Sequence, residues 1–231
     1  VVAAIFAIGE LFGGYRLSLV AIAVANLVLV VGVVREVFDP PTGLVAGAFV
    51  LVSPLFLIDS SVFLPYAPTT LLNLLFAYGY LRADRTDDRR WAIVAGAAVG
   101  LAFFARPYTA VLFAVPFVLH ALWTLAVDWR ATLERHVIVA TLGLIGVGTA
   151  LAYNTIATGS PLVFPYQAFA PLDGPGFGHR QLLAHEIQYT PELALEANLA
   201  VVERFFTEWI AGGIVGAAFA VLGLARSSRR P

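Results

Sequence analysis

Residues 17–34 read LSLVAIAVANLVLVVGVV, eighteen in a row without a charge. As an α-helix this run extends ~27 Å at ~1.5 Å per residue, close to the ~30 Å apolar thickness of a bilayer. Six more stretches repeat the pattern: Gly43–Ile58, Ala67–Leu81, Trp91–Ala105, Thr109–Val127, Val137–Tyr153 and Trp209–Leu224. The second, third and fourth of the seven are short, so slack is expected at their ends. Val1–Phe12 is also apolar, but a dozen residues cannot cross. It reads as part of a span or as a helix at the interface.

The composition agrees. Of 231 residues, 60% are hydrophobic and 13% charged, with a mean hydropathy of +0.85. That is too much apolar side chain for one water-facing core to hide. The expected fold class is therefore an all-α integral membrane protein, a polytopic bundle of about seven transmembrane helices. Soluble enzymes and disordered tails are excluded. So are nucleic-acid binders, because the net charge is −1 and no basic tract follows a phosphate backbone. There is no Cys, which removes disulfides, cysteine-metal sites and thiol nucleophiles. There is no Lys, which removes Walker-A loops and Schiff-base chemistry. With no Met, Val1 reads as an internal position, and the chain is expected to be an N-terminally truncated piece of a longer protein.

Arginine asymmetry gives the orientation. Alternate connections carry Arg35; Arg82, Arg85, Arg89 and Arg90; Arg130 and Arg135; then Arg226, Arg229 and Arg230. The opposite set holds Arg16, Arg106, Arg180 and Arg204. The richer set is expected in the cytoplasm of a multi-pass prokaryotic plasma-membrane protein. That puts Asp59–Tyr66, the Arg106 turn and Asn154–Glu208 outside. Three domains follow: a membrane core at 1–153, an outer loop and helix at 154–208, and a last span with a basic cytoplasmic end at 209–231. RADRTDDRR (82–90) reads as a solvated turn, and His120–His136 as an interfacial amphipathic stretch with Trp123 and Trp129. The Pro/Gly-dense run from Gly159 to Gly178 is expected to lack regular structure. Thr190-Pro191-Glu192 is a helix entry, with a Thr cap, Pro at the first position and an acid at the positive dipole end.

The polar residues each have a structural and a functional reading. Gly43-x-x-x-Gly47 and Gly96-x-x-x-Gly100 fit close helix approach. Asn26 and Asn73 lie mid-span and read as interhelical hydrogen-bond formers, with a pathway role as the lesser reading. Asp59, at the outer end of a span, is either a water-exposed interfacial acid or a carboxylate at a cavity rim able to act as a base. Arg106, in the tight turn Ala105-Arg106-Pro107-Tyr108, either snorkels to the interface or holds a phosphate in a guanidinium fork. In the long segment, Tyr166, Gln167, Asp173, His179 and Arg180 sit among Pro and Gly, a setting that often carries binding residues. His179, His185 and Glu186 match no metal-ligand spacing. Glu192, Glu196 and Glu203 read as a solvated helix face. No triad, nucleotide loop or carboxylate pair is present in the pattern, and no residue pattern requires a cofactor or a metal.

Taken in order, ELFGGYR (10–16), SPLFL (53–57), Ala95-Gly96-x3-Gly100-Leu101-Ala102 and Ala105-Arg106-Pro107-Tyr108 resemble the membrane core of GT-C glycosyltransferases. The likeness is to the protein-mannosyltransferase, aminoarabinose-transferase and Rgt-like group. Thr158–Leu162, Pro165-Tyr166 and Gly176–Arg180 resemble the outer loop of some prokaryotic members. The resemblance implies transfer of a sugar, with inversion, from a polyprenyl-phosphate donor to a protein, lipid or glycan acceptor on the outer face. It places Arg106 where the family has a basic residue near the lipid phosphate, and makes Tyr66, Tyr108, Asp173, His179 and Arg180 candidates for substrate binding. It leaves divalent-metal use open. The family's main acids lie in a first outer loop, expected upstream of Val1, which leaves Asp59 as the weaker candidate base here. Two other classes share the same solvent, a transporter or lipid flippase and a non-catalytic membrane scaffold. A transporter places ionisable groups near mid-membrane, whereas here they cluster at the ends.

Overall fold

The computed structural model describes residues 1–174 and 176–218. The chain divides into two compact units, residues 1–52 with 56–150, and residues 53–55 with the chain from 151 onward.

The first unit is helical throughout. It holds α1 (Val2–Glu10), α2 (Tyr15–Val37), α3 (Pro40–Leu51), most of α4 (Pro54–Ser60), α5 (Tyr66–Thr86), α6 (Arg89–Ala105) and the larger part of α7 (Pro107–Thr158). α5 lies at the centre, packed against α2 and α6. Its buried residues run from Ala67 through Leu72, Phe76 and Tyr80 to Ala83. Small residues set this packing. Ala92, Ala95, Ala98 and Ala102 form a buried stripe on α6. On its neighbouring face, a Cβ built on Gly100 would meet the Leu142 carbonyl at 3.0 Å and Gly146 Cα at 3.1 Å. Gly43 and Gly47 bring α3 onto α2, against Arg35 and Val31. Both expected small-residue motifs are thus close-approach sites. Asn26 donates from Nδ2 to the Ala67 carbonyl at 3.0 Å, tying α2 to α5. Asn73 is buried as well, but its Oδ1 has no hydrogen-bond partner among the described residues.

Outward-facing side chains are large and apolar, among them Val20, Val24 and Val28 on α2 and Leu112, Leu119 and Leu122 on α7. Apolar surface on this scale needs lipid rather than water around it. Among the described residues, two helices, α2 and α7, are long and apolar enough to cross a membrane, and α3 with α4 makes a third if that bent pair is one span.

One sequence expectation needs correction, and two connections gain detail. The stretch 43–58 is not one straight helix: α3 and α4 meet at a 69° bend. Pro54 supplies no N–H and disfavours helical geometry at Ser53, so the helix must break there. The connection 120–136 is helical on both sides of a single break, with Trp123 and Trp129 exposed. α7 runs through it and breaks at one residue, Asp128 (φ −146°, ψ 76°). Twelve residues of straight helix span ~18 Å, yet Thr124 Oγ1 lies 2.9 Å from His136 Nε2. The chain therefore doubles back at Asp128, whose carboxylate accepts from Ala131 N–H at 3.2 Å to start the second limb. The segment 82–90 is a turn exposed from Arg85 to Arg90, as a solvated turn should be, with helix on both sides of it. α5 runs to Thr86, Asp87 takes a left-handed φ of 53°, and Asp88 caps α6 by accepting from Arg90 N–H at 2.9 Å.

The second unit is built on the Pro/Gly-rich segment, which carries more regular structure than expected. Buried Asn154 donates to the Pro161 carbonyl at 3.0 Å, and the Thr158 hydroxyl lies within hydrogen-bond distance of the carbonyls of Asn154, Ser160 and Val163, with one proton to give among them. The short helix α8 (Pro165–Phe169) follows, then an antiparallel hairpin of β1 (Gly178–Leu182) and β2 (His185–Tyr189), with Arg180 opposite Ile187. α9 (Pro191–Arg204) starts as its sequence directs, Thr190 Oγ1 accepting from Leu193 N–H at 3.2 Å. A π-helical turn, Phe205–Trp209, ends it, and Ser53 donates to the Trp209 carbonyl at 2.9 Å. The seventh apolar stretch, 209–224, is described only to residue 218, and Arg226, Arg229 and Arg230 lie outside the described residues.

Candidate functional site

The two ends of the first unit differ in how they treat charge. At the end formed by the C-terminus of α2, the α5–α6 turn and the α7 break, opposite charges are matched. Glu36 is buried, with only 5% of its side chain exposed, and takes Arg82 at 2.7 Å and Arg85 at 3.1 Å. Arg135 holds Asp84 at 2.5 Å and reaches Asp87 at 4.0 Å, while Arg89 holds Glu134 at 2.7 Å. Just inside lies a network the sequence reading did not single out. Tyr80 Oη is 2.9 Å from His120 Nδ1, and its ring stacks on His136. Only the fold reveals it, because the two imidazoles come from opposite limbs of α7.

The other end is built differently. Arg106 sits at the break between α6 and α7, with φ −152° and ψ 89°. Pro107 forces that break and then serves as the first residue of α7. The Arg106 backbone stays tied on both sides, donating to the Ala102 carbonyl at 2.8 Å and accepting from Ala110 N–H at 3.0 Å. Its guanidinium lies over the Tyr66 ring, 4.5 Å from the centroid, at the start of α5. Its charge also reaches the half-buried carboxylate of Asp59 near the end of α4. Three candidates from distant parts of the sequence, Asp59, Tyr66 and Arg106, thus gather at one end of the unit. A guanidinium stacked on an aromatic face keeps its N–H edge free for an oxyanion. Tyr108 is the second residue of α7, with 70% of its surface exposed.

In the second unit the candidates do not form one cluster. Tyr166 donates its phenol proton to the Asp173 carboxylate, and this bond holds the phenol above its usual pKa range. Arg180 donates to the Gly176 carbonyl at 2.6 Å and stacks on Tyr189, 4.1 Å from the centroid. Phe177 stacks on the same tyrosine at 6.0 Å. His179 is exposed and, by strand alternation, faces away from Arg180. No group of three or more metal-binding side chains is found among the described residues.

The sequence pattern of the dolichyl-phosphate-mannose-protein mannosyltransferase family matches residues 1–153. The match includes Asp59, Tyr66 and Arg106 and stops before Tyr166, Asp173, His179 and Arg180. No curated protein and no solved structure matches the chain. With about two thirds of its length matched, the chain belongs to the dolichyl-phosphate-mannose-protein mannosyltransferase family, and with it to the GT-C type membrane glycosyltransferases.

Proposed function

We propose that this protein takes part in moving a sugar from a polyprenyl-phosphate donor to an acceptor hydroxyl at the outer face of a prokaryotic plasma membrane. In this reading the chain crosses the bilayer seven times and 154–208 lies outside. The two limbs of α7 count as two crossings. As one straight rod its 52 residues would measure ~78 Å, more than twice the apolar thickness. α5 and α6 cross between them, and the charge-matched end sits in the cytoplasm.

The observation that carries the reading is the Arg106 stack. When the acceptor oxygen attacks the anomeric carbon, the bond from that carbon to the phosphate oxygen breaks, and the lipid phosphate leaves with the electron pair. A fixed guanidinium beside it stabilises the charge that develops. Tyr66 holds the guanidinium plane, and Asp59 is the nearby carboxylate able to take the acceptor proton. Tyr108, Asp173, His179 and Arg180 are proposed as contacts for the sugar and the acceptor. Charges gathered at the membrane ends favour surface chemistry over passage of a solute, which needs ionisable groups at mid-depth.

The test compares Arg106→Ala and Arg106→Lys with the unaltered protein in membranes supplied with a polyprenyl-phosphate mannose donor. Sugar transfer should fall at least tenfold in Arg106→Ala and recover in part in Arg106→Lys, with donor affinity weakened in step. Unchanged donor affinity and transfer in a folded Arg106→Ala protein would refute the phosphate role.

A further inference from the structure

Between α5, α6 and the two limbs of α7 lies an apolar groove of about 510 Å³. Phe76, Phe117 and Val139 form its floor, and Leu122, Leu133 and Leu144 its rim. It occupies the charge-matched half of the bundle, away from Arg106. Its lining takes the late residues of α5, the limb of α7 approaching Asp128 and the limb leaving it. Beside it, on the adjoining face of the second limb, opens a polar pocket lined by Asp87, Arg89, Arg130, Ala131, Glu134 and Arg135. Leu133 and His136 face the groove while Glu134 and Arg135 face the polar pocket, so one helical turn divides apolar from charged space.

The charges of this end leave a remainder. Glu36 is taken by Arg82 and Arg85, Asp84 and Asp87 by Arg135, and Glu134 by Arg89. Asp88 and Asp128 are held by backbone N–H groups. Arg35, Arg90 and Arg130 have no carboxylate within ion-pair distance among the described residues, and of these three Arg130 lines the pocket, its guanidinium beside Trp129 at 5.6 Å. Trp123 and Trp129 are both exposed, as aromatic side chains are at head-group depth. An open apolar groove inside a bilayer is filled by a hydrocarbon chain, and a guanidinium free of carboxylates in the adjoining polar pocket favours an anionic head.

We propose that the α7 hairpin holds an anionic phospholipid of the leaflet at the arginine-rich end, one acyl chain in the groove and its phosphate at Arg130. This site is distinct from the Arg106 end and does not depend on the sugar-transfer reading. The occupant differs in chemistry from a sugar donor in position for reaction, whose phosphate must lie at the opposite end.

The test is fluorescence quenching in vesicles. Leu122→Trp, at the groove rim, becomes the single reporter once Trp91, Trp123, Trp129 and Trp209 are replaced by Phe. Tail-brominated phosphatidylglycerol should quench it at a mole fraction several-fold lower than tail-brominated phosphatidylcholine. Adding Arg130→Gln should erase the difference while helicity by circular dichroism stays unchanged. Because the replacements could disturb folding, the unaltered protein gives a second reading. Native mass spectrometry after extraction from mixed vesicles should retain one phosphatidylglycerol, lost in Arg130→Gln. Equal quenching by both lipids with no retained phosphatidylglycerol would overturn the proposal by making the occupant ordinary bilayer lipid. Absence of quenching by either lipid would overturn it by showing the groove closed to chains.

Discussion

Replacing Gly146 by Ala should destabilise the first unit, whereas the same change two residues later should not. A Cβ on Gly146 would lie 2.3 Å from Gly100 Cα, 2.5 Å from its carbonyl carbon and 2.7 Å from its oxygen. All three are backbone atoms of α6, so no rotamer change can relieve the clash. Reaching an ordinary contact of 3.4 Å requires the helices to part by about 1 Å. Overpacking of this kind costs ~1–3 kcal/mol. Separation also loosens the buried Ala95 and Ala98 packing nearby, which places the cost toward the upper figure. A Cβ on Gly148 would meet nothing within 4 Å, and there Gly→Ala gains up to ~1 kcal/mol of helix propensity. The two single-methyl changes should therefore differ by about 2–4 kcal/mol, combining these opposing effects. Reversible unfolding in mixed micelles, followed by circular dichroism, measures that difference. Equal stability of Gly146→Ala and Gly148→Ala would refute the close α6–α7 contact and the packing built on it.

Other expectations rest on separate contacts. Glu36→Gln removes the negative charge shared by Arg82 and Arg85. Both arginines are partly exposed, so the loss should be about 2 kcal/mol, less than the ~3–5 of a fully buried pair, and it should appear in the same unfolding assay. The Tyr166 phenol, held above its ordinary pKa by donating to Asp173, should return toward that value in Asp173→Asn when titrated by ultraviolet absorbance. A raised folded pKa contributes stability that is complete below the unfolded value and disappears as pH rises through the folded one. Glu192 has the opposite sign, its pKa lowered by its own backbone N–H and then by the Thr190 hydroxyl. Its contribution is present above the ordinary carboxyl pKa and lost as pH falls through the folded value. Protection factors in the first turn of α9, corrected for the intrinsic pH dependence of amide exchange, should therefore fall on acidification, and Glu192→Gln should remove most of that dependence.

Local signals in the sequence carried much of this structure. Pro107 announces the α6–α7 break, Thr190-Pro191-Glu192 announces α9, and the glycine pairs announce close helix contacts. Each is a property of a few adjacent residues. What escaped depends on pairs far apart in the chain. RADRTDDRR is exposed from Arg85 to Arg90 as its sequence suggests, but the partners of Arg82 and Asp84, Glu36 and Arg135, come from other helices. The Tyr80–His120–His136 network exists only because α7 folds back at Asp128. The hairpin 178–189 turns at Leu183, at φ +53°, where no Gly or Asn marks the left-handed position, so its turn gave no sequence signal. At the candidate site, Asp59, Tyr66 and Arg106 were each visible as polar residues at apolar ends, but their convergence belongs to the helix packing.

The absence of cysteine allows the central claim, that the Arg106 end faces outward and the arginine-rich end inward, to be tested directly. Ser61→Cys and Arg90→Cys, both at exposed positions, place one thiol at each end. In intact cells a membrane-impermeant maleimide should label Ser61→Cys at once and Arg90→Cys only after permeabilisation. Labelling of Arg90→Cys in sealed cells, with Ser61→Cys protected, would contradict the orientation and remove the outer-face sugar chemistry with it.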